Sequence, residues 1–139
     1  MTDDNLTAKT AHLGFIQNII SRMGNNSFYL KGWSITIVAA LFVLSQKDSK
    51  GVFLWLAFIP VFMLWGLDGF FLHQEKLFRE LYDEVADGTI DSTVFTLKTK
   101  NIKHPDKVDS YFKCLFSKTL RSFHGILSIV IVIVAIIIA

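Results

Sequence analysis

Two long apolar segments, separated by five polar residues, occupy residues 28–72: FYLKGWSITIVAALFVLSQ, KDSKG and VFLWLAFIPVFMLWGLDGFFL. As a helix, the first segment (residues 28–46) would be roughly 28 Å long, which matches the apolar thickness of a bilayer. The second segment, residues 52–72, is slightly longer. Because five residues can form only a tight turn, the two helices must be antiparallel neighbours. The sequence therefore predicts a transmembrane helical hairpin over residues 28–72.

A third apolar run, FHGILSIVIVIVAIIIA, occupies residues 123–139. As a helix it would be roughly 25 Å long, which is short for a bilayer but sufficient with local thinning. A buried helix or strand of a water-soluble protein is the alternative, since Ile and Val favour strands. A strand this apolar would aggregate in water. Beside two other spans, the run predicts a C-terminal transmembrane helix, and the fold class is an all-α membrane protein.

The residues before the first span have helical spacing. In TAHLGFIQNIISRM, residues 10–23, the apolar side chains recur on one face of a helix. Gly24 is placed to end this helix, and the Asn-Asn-Ser of residues 25–27 is typical of a cap for the next one. The sequence predicts a separate N-terminal amphipathic helix within residues 1–27. It would lie on the membrane surface or a partner, or pack on the core of the protein itself.

The polar segment between the second and third spans, residues 73–122, is predicted to be mainly helical. Residues 73–87 continue the second span, and a further helix is expected to start at Pro105, because proline suits the first turn of a helix. Between them, STVFTLKT at residues 92–99 alternates in polarity, which indicates a possible short strand. The chain thus divides into four parts: residues 1–27, 28–72, 73–122 and 123–139.

The distribution of charge orients the spans. Basic residues close to the end of a span favour the cytoplasmic side, and a basic cluster precedes the third span. Residues 73–122 and the N-terminus are therefore predicted to be cytoplasmic, and the C-terminus periplasmic. The net charge of only +2 gives no indication of a nucleic-acid partner, and a single cysteine excludes an internal disulfide. The basic cluster consists of Lys98, Lys100, Lys103, Lys107, Lys113, Lys118 and Arg121.

Asp68 is a carboxylate inside the apolar part of the second span. In an antiparallel hairpin Lys31 lies at a similar depth, and an ion pair would relieve the cost of a charge there. The pair could line a cation path or relay protons, or it could simply anchor the base of the hairpin. Gly66 and Gly69 flank Asp68 and would let another helix approach closely. Pro60 is expected to kink the span.

The sequence contains no phosphate-binding loop, nucleophile elbow or paired carboxylates with a catalytic rationale. None of the four histidines stands beside another ligand at metal-binding spacing. We therefore expect no catalytic residue, no metal, no cofactor and no enzymatic activity. The helix that continues the second span presents an apolar stripe, which is a candidate binding surface for a partner: Leu77, Phe78, Leu81 and Tyr82.

Two stretches carry a resemblance to a known group: HLGFIQNIISRMGNNSFYLKGW ahead of the first span and LDGFFLHQEKLFRELYD at the end of the second. Over residues 12–85 the chain resembles small bacterial membrane proteins that are similar in plan to the two-helix effectors of the SLATT type. Those effectors occur beside sensor proteins in phage-defence systems and are thought to oligomerise and breach the membrane. The resemblance implies a homo-oligomer in a bacterial inner membrane. The third span, residues 123–139, is an addition to that plan.

Three functions are consistent with these features. The first is a homo-oligomeric effector that disrupts the inner membrane or forms a pore, with the lipid bilayer, further copies of the chain and a cytosolic sensor as partners. The second is a membrane-anchored scaffold or adaptor that recruits a cytosolic protein without forming a pore. The third is a subunit of an ion channel or transporter complex, although the sequence contains nothing that resembles an inverted repeat.

Overall fold

The computed structural model of the protein describes residues 3–46 and 52–138. Within these residues the regular secondary structure is entirely helical, which confirms the all-α prediction, and three helical stretches are long and apolar enough to cross a membrane: Asp3–Ser45, Val52–Ala86 and Pro105–Ile137. The predicted turn at residues 47–51 lies outside the described residues. The α-helices are α1 (Asp3–Ser45), α2 (Val52–Leu56), α3 (Phe58–Ala86), α4 (Tyr111–Leu115) and α5 (Lys118–Ile138).

The first helix, α1, is continuous over 43 residues. The prediction of a separate helix that ends at Gly24 is therefore wrong. A glycine inside a helix costs only about 1 kcal/mol relative to alanine, and here α3 packs alongside at the level of the glycine, since a Cβ on Gly24 would lie 3.6 Å from Glu75 Oε2. At 1.5 Å per residue α1 is roughly 65 Å long, about twice the thickness of a bilayer core.

The helices α1 and α3 run antiparallel along most of their length. Their far ends meet where Lys9 Nζ donates to the carbonyl oxygen of Ala86 at 2.6 Å. The N-terminal half of α1 and the C-terminal half of α3 form a two-helix unit, which we call the rod. The core of the rod joins both helices to the following loop and contains Ile16, Ile20, Leu81, Val85, Ile90 and Ile102.

The stripe predicted to bind a partner packs inside this rod. Leu81 is completely buried, and Leu77, Phe78 and Tyr82 pack against the same core. These side chains cover α1 of their own chain, so they do not form a free surface. For the N-terminal residues, the alternative of packing on the core of the protein itself is the arrangement that the structure has.

At the other end of the molecule, a second core joins the apolar parts of the helices. Val38 of α1, Val61 of α3 and Ile131 of α5 meet there around Ala57. Ala57 separates α2 from α3, so the second apolar run is interrupted three residues before Pro60. Pro60 thus lies in the first turn of α3, where a missing backbone N–H leaves no hydrogen bond unmade.

The segment between α3 and α5 differs from its prediction in two places. Residues 92–99 form no strand; Ser92–Val94 is a 3₁₀ turn instead, because Asp91 accepts the backbone N–H of Thr93 at 2.8 Å. The α-helix that was predicted to start at Pro105 starts later. Pro105–Lys107 is a single 3₁₀ turn, and α4 begins later, after the cap residue Ser110.

Gly69 lets α4 rest directly on α3. A Cβ on Gly69 would lie 2.9 Å from Leu115 Cδ1 and 3.2 Å from Leu115 Cα. Gly66, one turn away, accepts a hydrogen bond from the Tyr111 hydroxyl on its carbonyl oxygen at 3.0 Å. The two glycines thus admit a helix of the same chain.

The substitution Gly69→Ala should destabilise the protein by about 1–3 kcal/mol, because the added methyl group forces Leu115 and the α4 backbone away from α3. Gly66→Ala is the matched control. Its Cβ would lie at an ordinary contact distance, 3.6 Å from the Tyr111 hydroxyl. Thermal unfolding in detergent measures both, and equal midpoints for the two variants would contradict this packing of α4.

Candidate functional site: a buried polar cluster between three helices

Four polar side chains from three helices meet around the Asp68 carboxylate. We call Ser27 and Lys31 of α1, Asp68 of α3 and His124 of α5 the polar cluster. Oδ2 of Asp68 lies 2.6 Å from Lys31 Nζ and 3.2 Å from His124 Nε2. Oδ1 accepts a hydrogen bond from the Ser27 hydroxyl, and Lys31 Nζ also lies 2.8 Å from Ser27 Oγ. The carboxylate therefore has a partner from both of the other apolar helices.

The positions of these residues along their helices explain why they meet. Ser27 and Lys31 are four residues apart, so they lie on the same face of α1. Because α1 and α3 are antiparallel, that face meets Asp68 near the end of the apolar run of α3. His124 lies in the second turn of α5 and reaches the same level from the third side. The ion pair expected from the hairpin is thus present, with two further members.

Burial makes the cluster energetically demanding. Asp68 and His124 are completely buried, and the Lys31 side chain is only 20% exposed. A carboxylate in such surroundings carries a large desolvation cost, which is offset only when opposite charge and hydrogen bonds surround it. We therefore expect the removal of one partner to affect the others.

His124 is held by aromatic rings. The indole of Trp65 stacks on the imidazole with centroids 5.6 Å apart and an interplanar angle of 11°, and Phe123 meets it edge-on at 5.0 Å. Since an ionised carboxylate only accepts hydrogen bonds, Nε2 carries the proton in the contact with Asp68. Nδ1 is buried and has no hydrogen-bond partner among the described residues.

Two members of the cluster, Ser27 and His124, were missed in the sequence. A signal for His124 exists, because each of the three apolar runs contains one side chain of the Asp, Glu, Lys, Arg or His type: Lys31, Asp68 and His124. Such residues in apolar spans usually pair with one another. Ser27 gave no comparable signal, because a serine after Gly-Asn-Asn is a common capping residue.

Contacts outside the apolar runs hold α4 against α3. The carboxylate of Asp109 pairs with Lys76 at 2.5 Å and with Lys113. The backbone carbonyl oxygen of Asp109 lies 2.9 Å from His73 Nδ1. Hydrogen bonds from Lys113 and Lys76 lower the pKa of Asp109 to about 2. The carboxylate of Asp109 is therefore charged at every physiological pH.

Glu84 anchors the loop that leads to α4. It is buried in the rod, and its carboxylate accepts the backbone N–H groups of Lys103, at 2.8 and 2.9 Å, and of His104, at 2.7 Å. A buried carboxylate that accepts backbone N–H groups fixes the path of the chain. Together with Asp109, Glu84 determines where the chain re-enters the apolar region.

The described residues contain no group of three or more His, Cys, Asp and Glu side chains placed to hold a metal ion. No protein-family model matches the chain, and no curated protein or solved structure matches it either. The resemblance to SLATT-type effectors therefore rests only on the architecture of residues 12–85. The polar cluster is the feature from which a function can be argued.

Lys31→Met should destabilise the protein more than Asp68→Leu. In Lys31→Met the completely buried Asp68 loses its cation, whereas in Asp68→Leu the partly exposed Lys31 can extend toward polar surroundings. The double variant should recover part of the loss, with a coupling of about 0.5–2 kcal/mol, as found for polar contacts between membrane helices.

Thermal unfolding of the wild type, the two single variants and the double variant in one detergent measures this coupling. A double variant whose loss equals the sum of the single losses would show that Lys31 and Asp68 do not stabilise each other.

Proposed function

We propose that the protein is a homo-oligomeric effector of a bacterial inner membrane that permeabilises the membrane, and that the polar cluster holds its spans in a non-conducting arrangement. The observation that carries this proposal is the complete pairing of Asp68 inside one protomer. Ionisable residues within spans are costly and usually functional. Here they join all three apolar helices at a single point.

The pairing defines what activation requires. Asp68 is completely buried and faces Ser27, Lys31 and His124, so it lines no path in this arrangement. For ions to pass, α1 or α5 must move away from α3, and the polar groups must then face water or a neighbouring protomer. The cluster thus supports a two-state switch, with the described arrangement as its resting state.

The rod connects this switch to the N-terminal half of α1. Because α1 is one uninterrupted helix from Asp3 to Ser45, a partner that displaces its N-terminal half also displaces Ser27 and Lys31. The charge distribution supports a cytoplasmic location for the rod, where a sensor protein would reach it. This arrangement accounts for the span and the rod being parts of the same helix.

Small residues on α1 support self-association. Gly32, Thr36 and Ala40 are spaced four residues apart on α1 and are all exposed. A Cβ on Gly32 would meet no atom within 4 Å. Membrane helices associate closely through such small residues, so this face suits contact with a second copy of the chain.

A second candidate function, a membrane-anchored adaptor, is favoured by an aromatic patch on the rod. Phe15 is 54% exposed and Phe95 is 41% exposed, with ring centroids 6.3 Å apart. Val94 and Leu97 beside them are also exposed. Exposed apolar groups of this kind often bind other proteins. A cytosolic partner would dock there rather than on the stripe that begins at Leu77.

A leak test distinguishes the two functions. Asp68→Asn removes the charge and weakens the hold on Lys31 and His124, so its expression in bacteria should depolarise the inner membrane at least several-fold faster than the wild type. Asp83→Asn is the matched control, since it makes the same change at an exposed position of α3. A voltage-sensitive dye reports the potential at matched membrane expression. If neither the wild type nor Asp68→Asn depolarises cells, the effector function is excluded and the adaptor remains.

Self-association can be tested on α1. Gly32→Leu should shift the protein toward smaller oligomers, because the side chain fits the protomer but prevents close approach of a second α1. Gly14→Leu is the control, since a Cβ there also meets nothing within 4 Å but lies in the rod. Light scattering in detergent measures the mass. An unchanged oligomer for Gly32→Leu, or an equal loss for Gly14→Leu, would place the contact elsewhere.

A further inference from the structure

An apolar groove lies between α3 and the end of α4. It encloses about 350 Å³ and is lined by Phe62, Trp65, Gly66, Leu115 and Phe116. The groove exists because the chain breaks between α4 and α5 and because Gly66 has no side chain. The indole N–H of Trp65 already donates to the Leu115 carbonyl oxygen at 2.9 Å, so Trp65 presents its apolar ring. The volume falls within the range of small-molecule sites, and the lining suits a hydrocarbon chain.

Three cations lie close in the chain to Phe116, which lines this groove. Lys113, Lys118 and Arg121 are exposed and stand within five residues of Phe116. Lys113 pairs with Asp109, but in residues 3–46 and 52–138 neither Lys118 nor Arg121 forms an ion pair. The two are three residues apart on α5, so they point in similar directions. Two exposed cations this close together can attract an anion.

The order of these groups along α5 fits a lipid. Arg121 and Lys118 precede His124 by three and six residues, about one and two turns toward the polar segment. The groove starts close to the level of the polar cluster, because Trp65 stacks on His124 and contacts Phe116. Phe112 and Phe116 are 70% and 56% exposed, as is typical of aromatic side chains at a membrane boundary. The cations thus lie on the aqueous side of an apolar groove.

We propose that this groove binds an acyl chain of an anionic phospholipid whose phosphate is held by Lys118 and Arg121. The two positive charges select an anionic lipid over a zwitterionic one, because only a head group with a net negative charge compensates them. The bound lipid would brace α4 and α5 against α3 beside the polar cluster. The site is independent of whether the protein permeabilises the membrane or recruits a partner.

Binding can be measured with short-chain lipids on the full-length protein in detergent. Dioctanoyl phosphatidylglycerol should raise the unfolding midpoint more than dioctanoyl phosphatidylcholine at the same concentration. Glycerol 3-phosphate, which has the phosphate but no acyl chain, should leave the midpoint unchanged, so it separates a lipid site from a phosphate site. Equal shifts with the two lipids, or a full shift with glycerol 3-phosphate, would overturn the proposal.

Two double variants locate the head group. Lys118→Gln with Arg121→Gln should weaken the apparent affinity for phosphatidylglycerol by about 10- to 30-fold, as expected for the loss of two basic contacts to an anionic lipid. Lys98→Gln with Lys100→Gln removes the same charge from two other exposed positions of the basic segment and should retain the wild-type affinity. An equal loss in both double variants would show a diffuse charge effect and no site.

One further variant tests whether the acyl chain lies in the groove. Phe116→Ala removes a wall of the groove from an exposed position. This variant should bind both lipids more weakly. It should still prefer phosphatidylglycerol, because the cations are unchanged. Wild-type binding of both lipids by Phe116→Ala would place the acyl chain outside the groove and contradict the proposal.

Discussion

The arrangement of the three apolar helices depends on the partners of a single carboxylate. An ionised Asp68 in apolar surroundings is tolerable only with a cation and hydrogen-bond donors around it. The donors come from α1 and α5, so the requirement fixes the rotation and the axial position of both helices relative to α3. Apolar contacts could be satisfied in many registers, whereas these hydrogen bonds can be satisfied in one.

The polar cluster also divides the molecule into two unlike halves. On one side, Ile16, Ile20 and Leu81 form the core of the rod, whose outer faces are mainly polar apart from the aromatic patch. On the other side, Val38, Val61 and Ile131 pack between helices whose outer surfaces are apolar, with residues such as Met63 and Ile129 exposed. The cluster lies at the boundary between these two environments.

The parts of this fold that could be predicted follow from length and chain direction. Two apolar runs joined by five residues must be antiparallel, and that alone brings Lys31 level with Asp68. The level of His124 could not be predicted, because it depends on the path of residues 87–117, which Glu84 and Asp109 fix through contacts distant in sequence. The local signals at Gly24 and at residues 92–99 were misleading. Packing along α3 carries the helix through the glycine, and a side-chain hydrogen bond from the Thr93 backbone to Asp91 replaces a strand that has no neighbour.

Each of the three apolar runs contains one ionisable side chain, and the order of the three along the chain has a consequence for how the protein is made. The chain emerges from the ribosome with Lys31 first, Asp68 next and His124 more than fifty residues later. During that interval the first two helices can already neutralise each other, so the hairpin can enter the membrane as a unit with no net charge in its cluster. The third helix then brings His124, which can find its depth by hydrogen bonding to a carboxylate already in place. This order places the two charged groups in consecutive apolar runs, where they can pair before the third run follows.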